Sequence, residues 1–254
     1  MKIAVCVKAV PDAASGRRLD PASLRLDRSG DLALSDYDTN PVEEALKLKE
    51  AAGDGEVVVV SMGPERTMDA LRKALAMGAD RAVLVTDEAL AGSDLLGTAK
   101  ALAGALEQEG ADVILFGQQS ADGDGGCLWS AVAELLRRPV VSQVSELQVS
   151  GGSLVGKRQT EYGYDTISAP LPAVVAVSDA INVPRYPSLK GIMGAKKKPQ
   201  EMRAAADVGG AVEPRTTVLA LGSPPARGEA RRIEDDGSAA EQIVAFLDEK
   251  RLLA

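Results

Sequence analysis

Short apolar runs alternate with amphipathic stretches along the first half of the chain. Residues 2–7 (KIAVCV), 56–61 (EVVVVS), 81–86 (RAVLVT) and 112–117 (DVILFG) are aliphatic and largely β-branched. Such runs predict strands buried on both faces, as in a parallel sheet. Between them the period becomes helical. After Pro41, Val42, Ala45, Leu46 and Lys49 keep helical spacing; Asp38, Thr39 or Asn40 can cap this helix, with Glu43 and Glu44 near its positive end. Residues 65–77 set Met68, Leu71, Ala74 and Leu75 on one face and stop at Gly78. A third helix is expected from Ser93 through Leu106, and a fourth over 128–136, closed by Pro139. Strands alternating with helices predict right-handed crossovers and an α/β fold with a parallel sheet. Ligands on such sheets lie beyond the carboxyl ends of the strands, where strand order reverses. That directs attention to the loops after residues 7, 61 and 117.

Past Pro139 the pattern changes. Residues 143–149, 154–160 and 173–177 predict short strands, with Gly151-Gly152 as a hairpin turn. Residues 182–199 are rich in Pro and Lys. Residues 200–238 are rich in Ala, Gly, Pro and charge, with one apolar run at 217–221. This reads as an extended arm. The last segment, 238–253, predicts an amphipathic helix capped by Ser238, with Ile243, Val244, Phe246 and Leu247 on a side that needs a partner surface.

The length of 254 residues allows one large or two small domains. Aromatic residues make up only 3%, so the core is aliphatic. A net charge of -8 excludes a chain-wide basic surface for nucleic acid. The chain has no histidine, which excludes Ser-His and Cys-His nucleophile pairs and any His-liganded metal. Two cysteines cannot build a four-thiolate site. The apolar run at the N-terminus stops at Lys8, too short for a membrane span. A soluble, cytoplasmic protein that is not membrane-embedded is expected.

The strongest local feature is GQQSADGDGG, residues 117–126, between an expected strand and an expected helix. Glycines admit close backbone approach, and the amides of Gly126, Cys127 and Leu128 would meet a phosphate at the helix N-terminus. An ordinary solvated turn fits the pattern equally well. Asp122 and Asp124 can repel phosphate, hold a cation or cap the helix; capping is the expectation. Cys6 near Lys8 is either a thiol of lowered pKa or a small buried apolar residue, the commoner case. Cys127, at a helix start, allows the same two readings. Met62 ends a strand, where it packs or touches a ligand. Lys196-Lys197-Lys198 is a basic run that fits a solvated loop or an acidic partner. Arg185, Tyr186 and Leu189 lie in a segment stiffened by Pro184 and Pro187, a composition suited to an interface anchor or to packing. Trp129 reads as core.

Several stretches together resemble the beta subunit of electron-transfer flavoprotein: VKAVPD at 7–12, VEEALKLKE at 42–50, GPERTMDALRKALAMGADRAVLV at 63–85, the glycine-rich turn, LPAVVAVSDAINVPRYPSLKGIMGAKKK at 171–198, and the terminal helix. The resemblance implies a Rossmann-like domain of the adenine nucleotide alpha-hydrolase type, residues 1–199, including a recognition segment at about 177–199. Residues 200–254 would form an arm and helix packing on an alpha subunit. It implies AMP in this chain and FAD held mainly by alpha. Electrons would come from flavin dehydrogenases such as acyl-CoA dehydrogenases, in fatty acid oxidation, and leave to a quinone oxidoreductase. The chain would be an electron carrier subunit, not an enzyme. The alternative is a bifurcating, NADH-oxidising subunit with a second FAD here. Position by position, the AMP contacts fall on Cys6, Met62 and the turn: Gly117, Ser120, Asp122, Gly123, Asp124, Gly125, Gly126, Cys127 and Leu128. The family's Asn-Pro-Phe segment falls on Ser35-Asp36-Tyr37, which brings Ser35 and Tyr37 into the site. The turn carries DGDGGC where the commoner form is Asp-Asp-Asp-x-Asn-Gln. The recognition leucine is Leu189, with Arg185 and Tyr186 beside it.

Overall fold

Aliphatic runs with no polar face must be covered on both sides, and the chain does this with one twisted sheet between two layers of helices. In the computed structural model all residues are described except 13, 15, 223–224, 227–231, 233 and 254. The chain divides into two units, Met1–Leu219 and Ala220–Ala254.

The first unit begins with β1 (Lys2–Cys6), followed by the short strands β2 (Ala9–Pro11), β3 (Leu19–Asp20), β4 (Arg25–Leu26) and β5 (Leu32–Leu34). Then come α1 (Asp36–Ala52), β6 (Glu56–Met62), α2 (Thr67–Met77), β7 (Arg81–Val85), α3 (Leu95–Glu109), β8 (Val113–Gly117) and α4 (Leu128–Leu136). A meander of β9 (Val140–Ser150), β10 (Ser153–Thr160) and β11 (Gly163–Pro170) precedes β12 (Ala173–Val177), α5 (Leu189–Ala195) and β13 (Gln200–Arg203). The main sheet has nine strands in the order β11-β10-β9-β12-β8-β1-β6-β7-β13. Its seven strands from β9 to β13 are parallel; β10 and β11 are added antiparallel at one edge.

Alternate residues of each central strand feed two cores. Ile3, Val5, Val57, Val59 and Leu115 pack with Val42, Leu46, Leu71 and Leu75 of α1 and α2. Ala4, Cys6, Val58, Val60 and Ile114 pack with Leu102 and Leu106 of α3 and Val132 of α4. Each buried Val, Leu or Ile side chain among these contributes about 1.5–3 kcal/mol relative to exposure.

Several boundaries differ from the sequence pattern. α1 starts at Asp36, so Asp38, Thr39 and Asn40 lie inside it and Ser35 flanks it without a side-chain cap. Pro41 therefore sits inside the helix and has no N–H for the Tyr37 carbonyl four residues back. α3 is capped by Asp94, which accepts from the Gly97 N–H at 2.9 Å, and starts after Ser93. Sequence patterning missed β11 and β13 because both are polar edge strands with little buried alternation. β13 pairs with β7, so the sheet continues past residue 199, where the expected arm begins. Ala205 and Val208 are buried beyond it, and Gly104 of α3 admits this contact: a Cβ there would lie 2.1 Å from the Val208 carbonyl oxygen. Farther on, the Arg215 N–H donates to the Asp94 carboxylate at 2.8 Å.

The second unit contains α6 (Ala239–Glu249). The Ser238 side chain does not cap it; its hydroxyl donates to Asp236 at 2.5 Å. Ile243 and Val244 are exposed, and the Lys250 ammonium lies 5.8 Å from the Phe246 ring centre. Among the described residues no helix is long and apolar enough to cross a membrane.

Candidate functional site

Strand order reverses between β1 and β8. From β1 the chain steps through β6 to β7, and α3 then returns it to β8 on the other side of β1. The carboxyl ends of these strands, at Cys6 and Gly117, border the crevice where doubly wound sheets hold ligands. The start of α1 lies against both. The Lys8 carbonyl accepts from the Ser35 N–H at 2.9 Å, and the Lys8 N–H donates to the Asp38 carboxylate at 2.7 Å. Gly117 is required by this approach: a Cβ there would lie 2.6 Å from the Tyr37 carbonyl oxygen and 2.9 Å from Asp38 Oδ1.

The walls are apolar or neutral. Cys6 is buried; burial first, and the nearby Asp38 second, push its thiol well above the ordinary value. It packs in the core with Ala4, Val58 and Val60. Burial also pushes the Asp38 carboxyl up to about 8, against the opposing pull of the Lys8 amide and ammonium. Met62, at the end of β6, is half-buried against the same core as Cys6. Ser35 is fully buried and its hydroxyl has no hydrogen-bond partner among the described residues; Ser61 in β6 shares that condition. A buried hydroxyl left so costs about 1–3 kcal/mol unless a ligand completes it.

The glycine-rich turn closes the crevice. The Asp124 N–H donates to the Ser120 carbonyl at 2.9 Å, and Asp124 takes a left-handed φ of 49°. The indole N–H of Trp129 donates to the Gln118 carbonyl at 3.2 Å, and the Gln119 amide donates to the Tyr37 hydroxyl at 3.2 Å. Gly123, Gly125, Gly126 and Cys127 are exposed, and Leu128 packs on the core. Cys127 flanks α4 and makes no side-chain cap; its carbonyl accepts from the Ser130 and Ala131 N–H groups at 3.2 and 3.3 Å, and the Leu128 and Trp129 amides ahead of them receive no acceptor from it.

Neither aspartate of the turn caps α4. The Asp122 side chain is 1% exposed and sits between Lys8 Nζ at 2.8 Å and the Arg28 guanidinium. Burial raises its carboxyl, but the bonds and charges of Lys8 and Arg28 more than reverse this and hold it at about 2. The exposed Asp124 carboxylate accepts from Gln119 at 3.5 Å. Among the described residues no group of three or more His, Cys, Asp or Glu side chains can hold a metal.

A family model, the electron transfer flavoprotein domain, matches residues 23–208, a span that includes the turn and α5. Electron transfer flavoprotein subunit beta from Mycobacterium bovis and from Mycobacterium tuberculosis are each 40% identical over 263 aligned residues, covering 99% of this chain and 99% of the relative. The chain belongs to the electron transfer flavoprotein family, among its beta subunits. The subunit beta of Thermoanaerobacterium thermosaccharolyticum is 41% identical over 208 residues, 82% of this chain and 79% of its own. The caffeyl-CoA reductase-Etf complex subunit CarD of Acetobacterium woodii is 34% identical over 263 residues, with both chains fully covered.

Within this flavoprotein subunit the structure gathers Cys6, Ser35, Tyr37 and the turn around the ends of β1 and β8, with Met62 one strand away. Arg185, Tyr186 and Leu189 lie elsewhere: Arg185 is bonded to α1, and Leu189 opens α5, which packs on α2. Tyr186 is 95% exposed and Leu189 80%. Arg185 faces inward, its guanidinium bonded to Glu43 and Glu50. The basic run is also partly structural: Lys198 donates to the carbonyls of Leu75 at 2.8 Å and Ala79 at 2.5 Å, at the end of α2. Sequence patterning missed Arg28, Asp38 and Ser61. Only Ser61, a polar residue closing an otherwise valine run, carried a local signal.

Proposed function

We propose that the crevice between β1 and β8 holds AMP, and that the chain works as one half of a heterodimeric electron carrier. Its alpha partner holds FAD, which supplies the redox chemistry when bound. Electrons come from flavin dehydrogenases such as acyl-CoA dehydrogenases and leave through a quinone oxidoreductase, and the heterodimer works in the cytoplasm. The carrying observation is the buried, unpartnered Ser35 hydroxyl behind a crevice whose turn leads into α4, where the Leu128 and Trp129 amides receive no acceptor from Cys127. These groups fit a nucleotide: the amides suit a phosphate, Ser35 offers a hydroxyl, and Cys6 and Met62 give apolar walls. With Lys8 and Arg28 already paired to Asp122, phosphate recognition rests on main-chain donors. This chain binds, positions and excludes water.

One observation favours a second reading, a bifurcating NADH-oxidising subunit with a second FAD here. It is the likeness, over both full chains, to a subunit of a caffeyl-CoA reductase-Etf complex, an Etf built into a reductase assembly. The test is co-purification with the alpha subunit, denaturation and quantification of released nucleotides. One AMP and one FAD per heterodimer support the carrier. Two FAD support the second reading, and FAD alone in a single copy contradicts both.

A further inference from the structure

Residues 182–188 have neither helix nor strand to hold them, yet they lead directly to the exposed Tyr186 and Leu189. Their order comes from polar bonds to α1. The Arg185 N–H donates to Glu43 Oε2 at 3.1 Å, and its guanidinium donates to Glu43 at 2.7 and 3.0 Å and to Glu50 at 2.6 and 3.2 Å. Asn182 donates to the Asn40 carbonyl at 3.0 Å and to Glu44 at 3.0 Å, and Asn40 donates back to the Asn182 carbonyl at 3.0 Å. Asn40, Glu43 and Glu44 are buried, so they are committed to this segment. The far end is fixed as well: Ser188 caps α5 at Gly191, and Gly191 packs so close to α2 that a Cβ would lie 2.3 Å from the Ala76 carbonyl oxygen.

We propose that Arg185 is a positioning residue: it does not touch the electron donor but clamps the segment to Glu43 and Glu50, so that Tyr186 and Leu189 are presented in one fixed geometry. This rests on the reading that the segment meets the donor dehydrogenase. A bidentate guanidinium between two carboxylates suits the role, because it fixes direction as well as distance. Ordering the segment before contact removes an entropic cost from association, which matters for a small transient redox interface.

The test uses the intact heterodimer with an acyl-CoA dehydrogenase as donor. Arg185→Gln, Glu43→Gln and the double variant are compared by hydrogen exchange over 182–190, by KM and kcat for the heterodimer as electron acceptor, and by flavin content. Each single variant should lose protection in the segment and raise KM about tenfold, and the double should be no worse than either alone. kcat at saturation and flavin content should hold. Glu50→Gln, at an exposed carboxylate, should act in the same direction but less, and it covers the case in which Glu43→Gln fails to fold. A KM rise confined to Arg185→Gln, with both glutamate variants normal, would mean direct partner contact and overturn the clamp. Unchanged exchange in Arg185→Gln overturns it as well. An unchanged KM in Leu189→Ala overturns instead the reading that this segment meets the donor.

Discussion

Two buried carboxyl groups stand at opposite ends of β1 and have been treated in opposite ways. At the amino end, Glu109 receives Lys2 at 3.0 Å, Arg203 at 2.6 Å and the Arg81 guanidinium. Burial alone would raise its carboxyl, but these cations hold it at about 2. At the carboxyl end, Asp38 has one backbone donor and no ion pair among the described residues, and burial lifts it to about 8. The first end is a saturated structural knot that ties α3, β1, β7 and β13 together. The second leaves an uncompensated acid, an unpartnered Ser35 hydroxyl and uncapped helix amides, all at the crevice. Of the buried side-chain atoms left without a partner among the described residues, Ser35 Oγ and Ser61 Oγ belong to this end of the sheet and Arg158 Nε to the meander; those at the crevice are the ones a ligand can complete.

This contrast can be broken by mutation. The largest effect belongs to Glu109→Gln, which strands three cations around a neutral amide. Unfolding in urea should show a loss of about 3–5 kcal/mol, with nucleotide content unchanged. In the parent chain the Glu109 contribution is full above its unfolded value near 4.5 and is lost as pH falls toward about 2. Gly117→Val comes next. Its side chain collides with the Tyr37 carbonyl and should cost about 1–3 kcal/mol while closing the crevice. Asp38→Asn comes last and has the opposite sign. The Asp38 contribution is full below about 3.8 and declines as pH rises to about 8, because folding must keep the carboxyl protonated. The neutral amide should therefore stabilise the chain most at pH 8 and progressively less toward pH 4. A denaturation series with the same slope against pH in both proteins would remove Asp38 from the comparison.

Much of this fold was legible in the residues. Runs such as 112–117 and 81–86 have no polar face, so only a covered strand accommodates them, and α4 begins at Leu128 and ends at Leu136 as its pattern predicts. The start of α1 was not legible. Pro41 normally marks a first helical turn, but packing of Tyr37 and Asp38 against Gly117 carries the helix five residues further back. Edge strands β11 and β13 bury too little to leave a periodic trace. In the crevice, the glycine-rich turn announced itself through composition. The Lys8–Asp122 pair did not, since it joins residues 114 apart, and the orphaned Ser35 hydroxyl is a property of packing alone.

The central claim is that the carboxyl end of the sheet holds an adenylate while the amino end holds only the fold. It is tested most directly by denaturing the purified heterodimer in its parent, Glu109→Gln and Gly117→Val forms and counting released AMP. One AMP per heterodimer is expected in the parent and in Glu109→Gln, and almost none in Gly117→Val. A Gly117→Val heterodimer that still carries a full equivalent would contradict the account.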